Sequence, residues 1–448
     1  MNLSGQSYER LTRRILWGLV AGLAGGLAIR GLLAARPGWA HGVDRLCAEV
    51  LDPFGQIFLR LLFFVVVPLI FASLALGVLQ LGRLEKLGPL AGRTFLLFGL
   101  NMAVGVALGL VMMNVLRPGG ALSPGLQEQL LAKFAAPAET LQARASEGAG
   151  LSFGRLVEMF LPRNLLAAVV GRDVGRIGDI LPLILFALLV GAAGTELRPE
   201  QRQRLGDALE VLTLLMTRIV GFALHLAPWA VAALLMSVVA KLGVEFLLAL
   251  GKFVVGVLAV MALHLFVTMP LLLKWLSRRS PWEFFRAIRA VMVTAFSTSS
   301  SSATLPASLQ AARENLGISA STAGFVLPLG ATMNMSGTAL YEGCVVLFVA
   351  QVYGIELGVA QQLTLLVLAV LTAVAVASVP GGSLPLIVGL LAQFGLPPEG
   401  IALVLGVDRL LDMARTVLNV SADLVTACIV DERLAPVAMS AGQAKNPP

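Results

Sequence analysis

Eight nearly unbroken apolar stretches constrain this chain most. They lie near residues 15–35, 55–80, 90–116, 178–195, 207–240, 244–275, 319–352 and 398–430. About 20 apolar residues suffice to cross a bilayer as a helix, so each is read as a full span. Of the 448 residues 57% are hydrophobic and 13% charged, too few charges to clothe a water-soluble globule. The chain is therefore an integral membrane protein with one interwoven domain, and nothing between the spans is long enough for a soluble catalytic domain. The net charge of +7 points to topology and not to nucleic acid, because basic residues mark cytoplasmic loops. They gather at Arg10, Arg13 and Arg14, at Arg83, Lys86 and Arg93, at Arg198, Arg202 and Arg204, and at Lys274, Arg278, Arg279, Arg286 and Arg289, on alternate ends of successive spans. With these inside, both termini are cytoplasmic in a plasma or cell inner membrane. Residues 117–155 are then external, with the Ala/Glu/Gln-rich stretch 126–148 as a peripheral helix or mobile loop.

The first apolar run, 15–33, is longer than a signal-peptide core and lacks a small-residue cleavage pattern, so it is a retained span. Cys47, Cys344 and Cys428 are too scattered for a zinc site or a disulfide framework and are read as apolar packing. His225 and His264 stand alone and are read as helix-contact residues, while Arg30 and Arg60 sit near helix ends and snorkel. No phosphate-binding glycine-lysine loop, nucleophile elbow or paired-histidine zinc helix occurs, which speaks against direct ATP hydrolysis.

Two further apolar stretches are broken in the middle, at residues 297–306 (STSSSSATLP) and 378–385 (SVPGGSLP). Non-helical backbone at membrane depth survives only where protein or a water-filled cavity satisfies its polar groups. Both are read as re-entrant helical hairpins whose tips meet inside the protein. Each is followed, at nearly equal distance, by a long helix carrying polar residues. Interrupted segments in corresponding positions of two halves are the pattern of an inverted-repeat secondary transporter, with its site where the broken elements converge. Two unrelated Gly/Pro-rich loops are the alternative.

The last span carries Asp408, Asp412, Arg415, Asn419 and Asp423. At roughly 100° per residue these five fall within an arc of about 80°, with Thr416 at its edge. Four charges centred in a span cost on the order of 10 kcal/mol, so they need partners inside the protein: cations for the surplus carboxylates and an anion for Arg415. A structural ion-pair network is the alternative, although one Arg cannot neutralise three Asp. Upstream, the small and amide residues 330–338 either unwind to expose carbonyl oxygens suited to sodium or form a Gly/Thr-rich helix contact. Glu342, again in an apolar stretch, is either a proton carrier or a partner in an interhelical hydrogen bond.

Together SSSSATLP (299–306), GATMNMSGTALYEG (330–343), SVPGG (378–382) and DRLLDMARTVLNVSAD (408–423) resemble the glutamate transporter family, the dicarboxylate/amino acid:cation symporters. The resemblance covers nearly the whole chain and is most specific from about 290 to 430. It implies an all-α polytopic membrane protein of eight transmembrane helices and two re-entrant hairpins, assembled as a homotrimer and working as an elevator. Residues 1–80 (helices one and two) and 178–240 (helices four and five) would form the scaffold. Helix three (81–116) and residues 241–430 would form the transport domain, with an external loop and the start of helix four at 117–177 and a cytoplasmic tail at 431–448.

Carried over residue by residue, Arg415 would pair with the side-chain carboxylate of the substrate and Asp412 with its amino group. Thr338, Thr416, Asn419 and Met335 would complete the pocket, closed by backbone at Ser300, Ser301, Ser302 and Val379, with Asp408 supporting the stripe. One sodium ion would lie among Asp423 and carbonyls of Gly330, Asn334 and Asn419. Another would lie among Thr332, Met335 and carbonyls of the second hairpin. The chain departs from the pattern at a third sodium site, where Ser336 replaces the usual Asp, Asn101 and Met102 replace a hydroxyl pair, and Phe98 replaces an aromatic hydroxyl. Correlated loss argues for altered coupling. Glu342 stands where proton-coupled members carry a Glu, and Ser378 and Ser383 stand where Gly is common.

The expectation is a symporter of acidic amino acids, aspartate or glutamate, driven by protons and by fewer sodium ions or none. A dicarboxylate such as succinate or malate is the alternative within the same fold, and Asp412 speaks against it, since it would meet like charge. An intramembrane aspartyl protease fits poorly, because Asp408, Asp412 and Asp423 share one helix while a dyad needs carboxylates that face each other. An anion channel is not separable by sequence; stoichiometric uptake against a gradient distinguishes the two.

Overall fold

The structure, a computed structural model, describes residues 5–82, 89–123, 125, 163–165, 180–376, 378 and 380–443. Every regular element among them is helical, as a chain deprived of water must be if its backbone groups are to be satisfied within each segment. In order these are α1 (Gly5–Ala35), α2 (Ala40–Leu46), α3 (Asp52–Gly82), α4 (Pro89–Leu116) and α5 (Ile180–Thr195). Two long helices follow, α6 (Pro199–Lys241) and α7 (Gly243–Leu276). Then come α8 (Pro281–Thr298), α9 (Ser301–Gln310), α10 (Ala320–Met333), α11 (Ser336–Val352), α12 (Val359–Val374), α13 (Leu384–Gln393) and α14 (Ala402–Gln443). Among the described residues, seven helices are long and apolar enough to cross a membrane: α1, α2 continued by α3, α4, α6, α7, α10 with α11, and α14. Of the stretch near 178–195, residues 178 and 179 lie outside the described residues. Its described part, α5, has 16 residues, about 24 Å at 1.5 Å per residue. The stretch 126–148 lies outside the described residues.

The junction of α6 and α7 shows how one residue sets a bend. Gly243 has φ 71° and ψ −157°, backbone that a side chain would strain. Arg30 of α1 donates to the carbonyls of Ala240 (3.4 Å) and Lys241 (3.2 Å) that this break leaves over. The expected snorkelling of Arg30 is thus replaced by capping of a helix end. Beside it Lys241 pairs with Asp52 at 2.6 Å, tying α6 to the start of α3.

The helices pack as two groups. In one, α1 lies along α6, α6 along α3 and α3 along α5. In the other, α4 lies along α11, and α8, α10 and α11 surround α14. α11 is buried on all sides, every residue from Ser336 to Ala350 included, so its polar side chains must find partners inside the protein. The broken segments form two helical pairs, α8 with α9 and α12 with α13. At the tip of the first, Ser299 is left-handed with φ 48°. Ser300 caps α9, its Oγ accepting from the Ala303 N–H at 3.2 Å. The same Oγ donates to the Ser378 carbonyl at 2.7 Å, so the two tips meet.

Candidate functional site

The site forms where these tips reach the middle of α14 and a break between α10 and α11. Asn334 (φ −105°, ψ 65°) and Met335 (φ −90°, ψ 56°) leave the helical region between the two helices. The run 330–338 is therefore broken at its centre, while Gly330 and Gly337 pack tightly on α14, so each of its two readings has a structural counterpart. The second tip binds it, Ser378 Oγ donating to the Ala331 carbonyl.

Arg415, 1% exposed, organises the polar stripe of α14. Its Nη2 donates to Asp412 Oδ1 at 2.9 Å and to Asp408 Oδ1 at 3.1 Å, and its Nη1 donates to Ser383 Oγ on the second hairpin at 2.9 Å. The guanidinium carbon lies 4.1 Å from the centroid of the Tyr341 ring, a cation–π contact strengthened by desolvation. Asp412 Oδ2 accepts from the Gly381 N–H of the second tip at 3.2 Å and faces Arg409 Nη1 at 3.4 Å. Two arginines therefore face Asp408 and Asp412. The expectation of one guanidinium for three carboxylates is corrected, because Arg409 reaches back to the stripe from beside it.

Asp423 has no guanidinium partner. Its Oδ1 accepts from Asn334 Nδ2 at 2.9 Å, and a Cβ on Gly330 would come within 2.4 Å of that oxygen. Only glycine lets the last turn of α10 approach the carboxylate so closely. Of the first expected ion set, Asp423 with carbonyls of Gly330, Asn334 and Asn419, the residues Gly330 and Asn334 lie against Asp423. The Asn419 side chain bridges α14 to the break: its Oδ1 accepts from the Gly337 N–H at 2.7 Å, while its Nδ2 lies 3.3 Å from both Thr338 Oγ1 and Met335 Sδ. Of the second expected set, Met335 is buried, but Thr332 is exposed with its hydroxyl on the Leu329 carbonyl of its own helix at 2.9 Å.

Met335, Thr338, Asp412, Thr416 and Asn419 line a cavity of about 20 Å³ together with Ser299, Ser301, Val376, Ser378, Gly382 and Ser383 of the two tips. That volume suits about one water molecule, and Arg415 is not among the lining residues. Ser302 is exposed and does not line it, and Val379 lies outside the described residues. Serine-rich tip composition pointed here, but the individual roles of Ser299, Ser378 and Ser383 were not legible.

Glu342 is fully buried, and its Oε2 accepts from Thr372 Oγ1 of α12 at 2.7 Å. The carboxyl thus sits between α11 and the second hairpin, while its Oε1 has no hydrogen-bond partner among the described residues. Around Ser336 the picture differs. Asn101 and Met102 of α4 are buried, and neither polar atom of the Asn101 amide nor Ser336 Oγ has a partner among the described residues. His264 of α7 joins them: its Nδ1 meets Thr268 Oγ1 on its own helix, and its Nε2 and the Ser336 carbonyl each lie 3.3 Å from where a Cβ on Gly105 would be.

A model of the sodium:dicarboxylate symporter family matches residues 11–433. The chain is 31% identical over 426 residues to a proton/sodium-glutamate symport protein of Geobacillus stearothermophilus, covering 93% of this chain and 94% of that protein. It is 30% identical over 388 residues to a proton/glutamate-aspartate symporter of Escherichia coli (strain K12), covering 86% of each. A C4-dicarboxylate transport protein of Anaeromyxobacter sp. (strain K) is 32% identical over 384 residues, covering 85% of this chain and 83% of that protein. The match over nearly the whole length, with the broken helices and the polar stripe in place, establishes that the chain belongs to the sodium:dicarboxylate symporter family.

Proposed function

We propose that this chain is a secondary active symporter of acidic amino acids, aspartate and glutamate, driven by protons with reduced or absent sodium coupling. The buried Arg415–Asp412 pair, whose Asp412 lines the cavity, carries this reading. An amino-acid dicarboxylate brings one carboxylate for Arg415 and an ammonium for Asp412, so the intramolecular ion pair is exchanged for two intermolecular ones, and its other carboxylate is left to the serine-rich tips. The second hairpin opens in the exchange, releasing the bonds from Ser383 and Gly381. The relatives named for glutamate and for glutamate-aspartate support the amine-bearing substrate. A four-carbon dicarboxylate is the second reading, favoured by the cation that Arg409 adds beside Asp412 and by the relative named for C4-dicarboxylates.

Sodium, where it is carried, binds at Asp423, the stripe carboxylate without a guanidinium, with carbonyls of Gly330, Asn334 and Asn419, and at Thr332 and Met335 with carbonyls of the second hairpin. The third site holds none, since Ser336 lacks the charge that offsets dehydration of the ion. Glu342 carries the proton, being sealed from water and one hydrogen bond from the moving hairpin. The architecture of this reading is a homotrimer of eight spans and two re-entrant hairpins in inverted repeats. Helices one, two, four and five are the scaffold and the remainder is an elevator-type transport domain. Both termini are cytoplasmic in the inner or plasma membrane. Uptake of aspartate and glutamate into proteoliposomes, with proton and sodium gradients imposed separately, tests it. Proton-driven accumulation, lost in Glu342→Gln, is expected. Accumulation indifferent to pH and to Glu342 overturns the coupling, and uptake of neither acid overturns the substrate.

A further inference from the structure

Arg409 lies on α14 between the polar stripe and the face that meets α1 and α6. Three residues before it, Gly406 sits against Leu235 and Leu19, a Cβ there coming within 3.3 and 3.7 Å of them. The Arg409 side chain is 8% exposed and meets Asp412 at Oδ2, not at the Oδ1 that accepts from Arg415. The two oxygens of Asp412 have different partners: Oδ1 faces Arg415, while Oδ2 faces Arg409 and the Gly381 N–H. A substrate carboxylate that draws Arg415 away frees Oδ1 and leaves Oδ2 beside its second cation.

We propose that Arg409 is a positioning residue that sets how strongly the pocket discriminates between dicarboxylates with and without an amino group. It rests on the acidic-substrate reading above. With Arg409 in place, Asp412 stays compensated after Arg415 turns to the substrate. The repulsion felt by an amine-less dicarboxylate is reduced, and so is the attraction for an ammonium. Removing the Arg409 charge exposes Asp412 in a desolvated site and moves both terms in the same direction. Arg409 thus acts on specificity through Asp412 and touches no substrate.

The test is a set of dissociation constants for aspartate and succinate, measured at fixed sodium and ionic strength on full-length protein in lipid nanodiscs. The wild type is compared with Arg409→Gln, Arg409→Met and Arg409→Lys. The ratio of the succinate constant to the aspartate constant is expected to widen by about tenfold in the two neutral variants and to stay within about threefold of wild type in Arg409→Lys. In an Asp412→Asn background, Arg409→Gln is expected to leave the ratio unchanged, since the residue through which it acts is gone. Arg409→Met keeps the apolar stem, so it serves as the reading if the Gln variant does not fold. Parallel losses for both ligands, or a narrowed ratio, overturn the proposal and leave the substrate assignment standing. Binding of neither ligand by the wild type overturns both.

Discussion

Two buried polar clusters adjoin the start of α11, and they are built oppositely. Around Arg415 the charges come in pairs, with two guanidiniums facing Asp408 and Asp412 and the terminal nitrogens of Arg415 engaged. Around Ser336 no carboxylate contact is found among the described residues, and there Asn101, Ser336 and His264, like Arg415 Nε in the first cluster, each keep a buried polar atom without a hydrogen-bond partner. The first cluster can exchange partners with an ionic solute at little net cost, because each broken pair is replaced by another. The second offers neutral donors and acceptors, which hold a dehydrated cation poorly. Recognition and coupling are therefore separable in this chain, and substitutions in the two clusters have different signatures.

The largest effect is expected from Arg415→Ala. It removes the partner of the substrate carboxylate and leaves Asp408 without its guanidinium contact. Truncating one member of a buried charge pair costs about 2–5 kcal/mol, so aspartate and glutamate affinity falls at least ~30-fold, as equilibrium binding to purified protein would show. Unchanged affinity for both acids would take Arg415 out of the pocket and dissolve the contrast between the clusters.

A smaller and more selective loss is expected from Asp412→Asn. The amide keeps the shape and can still accept from the Gly381 N–H, but it no longer attracts an ammonium. Aspartate affinity drops by about tenfold or more, while succinate affinity changes far less or improves. Competition of the two ligands against a radiolabelled substrate reads this directly, and an equal loss for both would assign Asp412 a purely structural part.

Much of the recognition cluster was legible because its spacing is local. Asp408, Asp412, Arg415, Asn419 and Asp423 share one face of a helix by period alone, and 330–338 is too poor in apolar side chains to stay wound. Arg409 was missed because it lies off that face. The i, i+3 spacing to Asp412 is the signal that a second Arg in this apolar span carries. The partners of Ser299, Ser378 and Ser383 come from distant segments of the chain, so no local pattern announces them. Thr332, expected at a sodium site, and Ser302, expected to close the pocket by its backbone, both have exposed side chains. His264 looked isolated in sequence. Only the packing of α7 against α4 and α11 brings it beside Ser336.

The smallest expected effect comes from rebuilding the neutral cluster with Ser336→Asp and Asn101→Thr together. A carboxylate in place of the buried Ser336 hydroxyl supplies charge, and the threonine replaces an amide with a hydroxyl, so the region acquires the hard oxygen donors that sodium requires. Substrate affinity is then expected to depend more steeply on sodium, by about one order in concentration, in dissociation constants measured across a sodium series at fixed ionic strength. The wild type is expected to show weak dependence in the same series. The gain is limited by His264, whose Nε2 lies near Gly105 and the Ser336 carbonyl and can donate to the new carboxylate in competition with the ion. Adding His264→Gln to the pair should therefore enlarge the sodium effect if the imidazole is the competitor, and leave it unchanged if the two groups do not meet. A wild type that already shows third-order sodium dependence would mean that neutral oxygens suffice at this position, and the distinction between the two clusters would then rest on recognition alone.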